Sequence, residues 1–294
     1  MKTTLLLTAA QSGARRIPMG LVVAAALFLL QNATANPTTV NLGTASSFAV
    51  LAGSGITVAG AVNTTTITGD IGTYPTTSVT GLGNIVLNGV NQTADTLLMQ
   101  NAQSALTAAY GNAAGQSATV SYGSANQELG GLTLAPGVYN DSTSFGITGT
   151  LTLDAQNNPN AVWIFQAGST LTTASGPNAS SVVLVNGAQA CHVFWVVGSS
   201  ATLGTSSDFV GNILAVTSIT ADTGATVDGR LLAENGAVTL DNNTITEAIC
   251  NAGSSVPDGG STLLLLGFGV LSLLAFVEVG GRTMILNQNR RAIY

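Results

Sequence analysis

Apolar and polar positions in this chain repeat on one template in four short stretches: residues 63–71 (NTTTITGDI), 205–213 (TSSDFVGNI), 223–231 (TGATVDGRL) and 241–249 (DNNTITEAI). Each opens on a polar residue, has Thr or Asp three places on, then an apolar residue, and a second apolar residue four places after that. The last three copies stand 18 residues apart, which puts Phe209, Val227 and Ile245 in one apolar column and Ile213, Leu231 and Ile249 in another. A fixed short period with apolar residues in register predicts a solenoid, because one coil buries its inward side chains only by stacking on its neighbours. The intervening segments alternate Val, Ile and Thr and are broken by Gly, Asn and Asp, so the coils are expected to be strands and the solenoid a β-helix.

Alternation also assigns sides. Ala201, Leu203, Ile219, Ala221, Val238 and Leu240 are expected to point inward, leaving Thr202, Thr220 and Thr239 outward between them. Thr57, within Ile56-Thr57-Val58, repeats the pattern near the start of the chain. Stacked coils sit roughly 4.7–4.9 Å apart, so these threonines are expected to form a ladder. Thr66, Thr226 and Thr244 form a second outward column, which Asp208 interrupts, and it ranks below the first. Exposed Thr is ordinary on a strand surface, so a ladder by itself does not name a function.

Residues 94–112 (ADTLLMQNAQSALTAAYGN) change the period. Leu98, Ala102, Ala105, Leu106 and Ala109 fall on one face at helical spacing, with Thr93 or Asp95 to cap the start and Gly111 to end it. The narrow, Ala-rich face suits close packing along the flank of the solenoid. The most continuously apolar segments, residues 161–166 (AVWIFQ) and 192–197 (HVFWVV), return to strand character. One coil template before the helix and three near the end predict that the N-terminal segment joins the same stack out of sequence order. The whole is one all-β domain of about 220 residues.

Charge narrows the partners. Only 7% of the 294 residues are charged, and between residues 36 and 255 eleven acids face a single base, Arg230. Phosphate recognition needs clustered Lys and Arg, so nucleic acid is not an expected partner. A lyase would need a Lys or Arg base, and Asp208 with Asp228 is the pair that neighbouring coils bring nearest to a glycosidase arrangement. Solvated turn chemistry is the plainer reading of that pair, and the chain is not expected to be an enzyme. His192, the lone histidine, has no Ser or Cys partner in a recognisable motif. No cofactor or metal is implied.

The two ends carry targeting features. Lys2, Arg15 and Arg16 precede an apolar run and Ala33-Thr34-Ala35, which reads as a signal peptide over residues 1–35. The solenoid domain then occupies 36–252, followed by a linker and motif at 253–261, an apolar segment at 262–279 and a basic tail at 280–294. Arg282, Arg290 and Arg291 place the tail on the cytoplasmic side and the solenoid outside. In an exported domain the two cysteines, Cys191 and Cys250, are permitted to form a disulfide, though their geometry is not legible from spacing.

The tripartite end, with Val256-Pro257-Asp258-Gly259-Gly260-Ser261, resembles bacterial carboxy-terminal sorting signals of the PEP-CTERM type. The resemblance implies an exosortase-like sorting protease as partner, membrane insertion of the C-terminal segment before cleavage, and a secreted or cell-surface protein of a Gram-negative-type bacterium. A further resemblance rests on several motifs in one order: residues 42–52 (LGTASSFAVLA), 68–72 (TGDIG), the helix, 134–139 (LAPGVY), 193–195 (VFW) and 210–215 (VGNILA). Together they resemble the ice-binding-like family of DUF3494 type over about residues 41–250. That family implies a discontinuous right-handed β-helix (solenoid) with one long α-helix packed along its side, and an ice crystal surface as ligand. The family's ice-facing motif, Thr-Ala/Gly-x-Thr/Asn, is matched in full by Thr220-Ala221-Asp222-Thr223, and at its first and fourth places by Thr202 with Thr205 and Thr239 with Asn242. The resemblance thus implies an ice face of Thr57, Thr202, Thr205, Thr220, Thr223, Thr239 and Asn242. The alternative is a surface or extracellular-matrix adhesion protein that uses the same fold without binding ice.

Overall fold

The computed structural model describes residues 36–123 and 125–251; the expected leader, sorting motif, apolar segment and basic tail lie outside the described residues. The chain winds as a three-sided stack of parallel strands. The first side runs, in spatial order, through Val79–Thr80, Gly55–Ala59, Ala237–Asp241, Ile219–Ala221, Ala201–Leu203, Leu171–Thr173, Phe145–Ile147 and Gln127–Glu128. The second runs through Ile85–Asn88, Thr65–Thr68, Thr244–Thr246 and the first halves of Thr226–Ala233 and Asp208–Ala215. It continues into Ser181–Val185, Thr150–Asp154 and Thr133–Leu134. The third takes the second halves of the two long strands together with Asp70–Thr73, Phe48–Ala52, Val193–Val197, Trp163–Ala167, Gly137–Asp141 and Val120–Ser121.

The long strands cross from the second side to the third at a glycine. Gly211 has φ 113°, a conformation L side chains rarely adopt, and a Cβ on Gly229 would lie 1.9 Å from the Gly211 carbonyl oxygen. Inside the bend, Phe209, Val227, Ile245 and Ile67 stack in register, as the 18-residue period requires. A row of rings continues the interior: Tyr139 on Phe165 at 5.3 Å, Phe165 on Trp195 at 4.0 Å, and Trp195 against Phe209 at 5.2 Å.

The second expected column ends differently. Ile213 and Leu231 are paired and fully buried, but Ile249 is 78% exposed. The chain leaves the stack after its last second-side strand, and Val50 takes the position beside Leu231, with Ile71 beyond it. Phe48–Ala52 therefore supplies the third side of the C-terminal coil, and Gly55–Ala59 continues onto Ala237–Asp241. Sequence order and spatial order diverge as the templates predicted.

Arg230 closes this junction. It is buried, and its guanidinium donates to the Ser46 carbonyl at 2.7 and 2.9 Å, the Ala248 carbonyl at 2.9 Å and Asn212 Oδ1 at 2.9 Å, and pairs with Glu247 at 2.7 Å. One side chain thus joins the N-terminal segment, the middle of the stack and the end of the last coil.

The helix occupies Thr96–Ala114, capped by Asp95, whose carboxylate accepts the Leu98 N–H at 3.0 Å. It runs past Gly111, which stands in open space, and ends at Gly115. Its buried stripe is Met99, Ala102, Leu106, Ala109 and Ala113; Leu98 and Ala105 sit half-buried at the margin. The stripe packs on Phe48, Leu51, Ile164, Phe194, Val196, Leu214 and Leu232, so third-side strands are buried on both faces, which is why residues 161–165 and 193–197 read as continuous apolar runs. Gln166, buried beneath the helix end, donates to the Ala113 and Gln116 carbonyls at 2.9 and 2.8 Å and so ties the helix end to the third side.

Removing one partner of a buried, multiply bonded ion pair strands the others. Arg230→Ala is expected to destabilise the fold by about 3 kcal/mol in denaturant unfolding, and an unchanged unfolding midpoint would show that the junction does not depend on Arg230.

Candidate functional site

The first side carries an unbroken outward column. Thr80 stands opposite Thr57, Thr57 opposite Thr239, Thr239 opposite Thr220, Thr220 opposite Thr202, and Thr202 opposite Thr172. Six threonines in register span about 24 Å at the ordinary strand spacing. Their inward neighbours Ile56, Val58, Val238, Leu240, Ile219, Ala221, Ala201, Leu203 and Leu171 are all buried, so the backbone under the ladder is held by core packing. Beside it stand Ser144, Thr170, Ser200 and Ser218, whose hydroxyls are tied down: Ser144 Oγ lies 2.8 Å from Thr170 Oγ1, and Ser200 and Ser218 accept backbone N–H groups at 3.3 Å.

Four ladder residues, Thr57, Thr202, Thr220 and Thr239, are those that alternation predicts. Thr172 and Thr80 were not legible. Thr172 is followed by Thr173, a buried Thr whose Oγ1 accepts the Gly204 N–H at 2.7 Å, so polarity does not alternate there. Thr80 lies on a two-residue strand at the end of the stack, followed by Gly81.

Thr205, Thr223 and Asn242 fall at the corner after the ladder rather than on its flat part. The Thr205 N–H donates to Ser175 Oγ at 2.9 Å, and the Thr223 hydroxyl donates to the Asp241 carboxylate. Asn242 departs from the motif match. It precedes Thr244 by two residues, as Gly224 precedes Thr226 and Ser206 precedes Asp208, and all three have left-handed φ, 54°, 76° and 60°. This corner is one residue shorter than its neighbours, so Asn242 occupies the turn position rather than that of Thr205 and Thr223, and its Oδ1 is buried. Asp222 and Asp241 stand at the same edge, leaving the centre of the face without charge. Glu128, in register at the far end, is bound to the Gly130 and Thr148 N–H groups, each at 2.7 Å.

The second column is also real but mixed. Thr66, Thr244, Thr226 and Asp208 are in register, and Val86 and Ser181 extend them. Asp208 accepts the Thr226 hydroxyl at 2.6 Å. Asp228 lies opposite Val210 and Thr246, not opposite Asp208, so the two carboxylates occupy different rows and form no facing pair.

Over residues 50–246 the chain matches the profile of the family described as Ice-binding-like. The chain belongs to the ice-binding-like family. An ice-binding protein of Nostoc sp. (strain HG1) is 47% identical over 237 residues, covering 79% of this chain and 84% of that one. An ice-binding protein of Colwellia sp. is 39% identical over 223 residues, covering 72% and 85%. The crystal structure of the ice-binding protein from the Antarctic ascomycete Antarctomyces psychrotrophicus superposes with a TM-score of 0.67 at 42% identity, covering 72% of this chain and all of that one. The DUF3494 domain of Shewanella frigidimarina ice-binding protein 1 superposes at 0.63 with 30% identity, covering 73% and 99%. The β-solenoid with one flanking helix is therefore the family's fold, and the adhesion alternative finds no support among these relatives.

Both cysteines are disulfide-bonded, which settles the pairing that spacing left open. Among the described residues, no helix is long and apolar enough to cross a membrane. His192, beside Cys191, is buried with no partner at Nδ1; burial pulls its pKa below the ordinary 6.5, opposed by a hydrogen bond at the Pro159 backbone. A histidine that folding keeps neutral stabilises above the unfolded value near 6.5, and that contribution is lost as pH falls below it. On moving from pH 8 to pH 5, the Tm of the parent is expected to drop more than that of His192→Gln; equal drops would remove His192 from the pH response.

Proposed function

We propose that the domain adsorbs to ice through the first-side ladder of Thr172, Thr202, Thr220, Thr239, Thr57 and Thr80. The observation that carries this is the unbroken register of six outward threonines on a core-supported sheet whose carboxylates stand only at its corner and far end, in a chain whose relatives are ice-binding proteins. Thr is stiff at χ1 and presents a methyl beside a hydroxyl, so each rung repeats one geometry. Methyls order neighbouring water without binding it, and hydroxyls hold it in place. Waters lodged in the troughs between rungs then repeat at the strand spacing and merge with a crystal plane. A charged group would orient its hydration shell differently, which ranks the second column, with Asp208, below the first.

Thr220→Tyr places a ring in the middle of the ladder and leaves the core untouched. It is expected to abolish most ice shaping and recrystallisation inhibition at an unchanged Tm, while Thr226→Tyr on the second side leaves both in place. Equal loss in the two variants would mean that the second side shares the contact, and full activity in Thr220→Tyr would rule out the ladder.

Residues 1–35 are read as a leader removed on export. The Val256–Ser261 motif, the apolar segment and the basic tail are read as a sorting signal handled by an exosortase-like membrane protease, which leaves the domain secreted or at the cell surface. This reading rests on the sequence features of the two ends. Intact-mass analysis of the protein from its host is expected to place the N-terminus at Asn36 and the C-terminus near the motif; a chain retaining Arg290 and Arg291 would exclude the cleavage.

A further inference from the structure

The two flanks of the threonine ladder differ. On a first-side strand, the residues two places before and two places after the ladder threonine point outward on the same face. Ala237, Thr239 and Asp241 alternate in this way with buried Val238 and Leu240, and Ser218, Thr220 and Asp222 alternate with buried Ile219 and Ala221. The preceding flank runs from Gly55 through Ala237, Ser218, Ser200 and Thr170 to Ser144 and carries no charge. Its backbone is still sheet: the Ser218, Ser200 and Thr170 carbonyls accept the Ala201, Leu171 and Phe145 N–H groups at 3.0, 3.2 and 3.0 Å. Ser218 Oγ accepts the Ala237 N–H and Ser200 Oγ the Ser218 N–H, each at 3.3 Å, so these hydroxyls are oriented along the stack. A hydroxyl that accepts from the backbone keeps its own proton to donate, and each such rung offers water a donor in a fixed place.

The following flank is built otherwise. Ala221 pairs with Leu240, which sets Asp222 and Asp241 on neighbouring rungs. The Thr223 hydroxyl is spent on the Asp241 carboxylate, and the Asn242 Oδ1 is buried. The chain then leaves the plane of the sheet through left-handed turns at Gly224 and Asn242.

We propose that the ice contact is off-centre, spanning the ladder and the flank of Ser218 and Ser200 before it, and ending at the edge formed by Asp222 and Asp241. Thr205, Thr223 and Asn242 then take no part in it. This rests on the ladder being the ice face. Outward side chains two residues apart on a strand stand about 6.5 Å from one another, so the ladder and the preceding flank enclose a trough with threonine methyls on one wall and backbone-oriented hydroxyls on the other. Its floor and walls repeat at every coil. On the opposite flank two adjacent carboxylates draw water into shells of their own geometry, and stripping those shells without supplying a cation is costly.

Ala237 and Asp241 lie two residues to either side of Thr239 and allow a matched comparison in the full chain. Ala237→Tyr and Asp241→Tyr place the same ring equally far from the ladder, on side chains that point away from the core. Ala237→Tyr is expected to lose most recrystallisation inhibition and Asp241→Tyr to keep it, both with the cooperative unfolding of the parent. Ser218→Tyr and Asp222→Tyr repeat the comparison around Thr220, and replace the first pair if either of its members unfolds early. Loss in Asp241→Tyr with activity kept in Ala237→Tyr would move the contact to the opposite flank, and equal loss or equal retention would make it symmetric about the ladder. Each of these results overturns the proposal and leaves the ladder as the ice face, provided that Thr220→Tyr is inactive. An active Thr220→Tyr would remove the ladder and the proposal together.

Discussion

The structure depends on one splice: the third side of the C-terminal coil is supplied by Phe48–Ala52, from the other end of the domain. Without it, Leu231 and Leu232 would face solvent where Val50 and Leu51 now lie. The Arg230 network sits on that seam and bonds to both ends of the solenoid domain at once. The ladder inherits the arrangement, because the contact between Thr239 and Thr57 is a contact between residues that the chain separates by almost the whole domain. A continuous functional face is thus assembled from two discontinuous pieces, and its flatness across the seam depends on the same packing that holds the seam closed.

Period alone does not choose between the two threonine faces, since both belong to the same coils and repeat at the same spacing. What separates them is the company each column keeps. The first side has threonine at six consecutive rungs, with a second row of small hydroxyl residues bonded into the backbone and carboxylates only at its corner and far end. The second side mixes threonine with Asp208, Asp228, Val86 and Val183, so its hydration changes character from rung to rung.

Much of this was legible because the physical signals were redundant. The 18-residue period and the alternation agree on Phe209, Val227 and Ile245, and on the inward and outward partners around Thr202, Thr220 and Thr239. Ile249 fits the template as well as Ile213 does, yet it lies outside the stack, because a template cannot report that another segment has taken its position. Thr172 and Thr80 escaped for local reasons, a buried threonine that hides the alternation and a strand too short to show it. Asn242 misled because one missing residue in a corner shifts a motif match by one place and exchanges an outward side chain for a turn residue. The helix stripe was found but rotated, since Met99 and Ala113 are decided by which strands lie underneath.

The helix also fixes the length of the solenoid. Its 19 residues measure about 28 Å, and the seven third-side strands from Asp70–Thr73 to Gly137–Asp141 span about 29 Å. The helix carries the chain from one end of the stack to the other, so each added coil would call for about three more helical residues. Duplicating an 18-residue coil alone would leave the connection too short. Unlike open-ended repeat proteins, this architecture cannot lengthen its face one repeat at a time, and growth of the ladder requires two coordinated insertions at distant places in the gene.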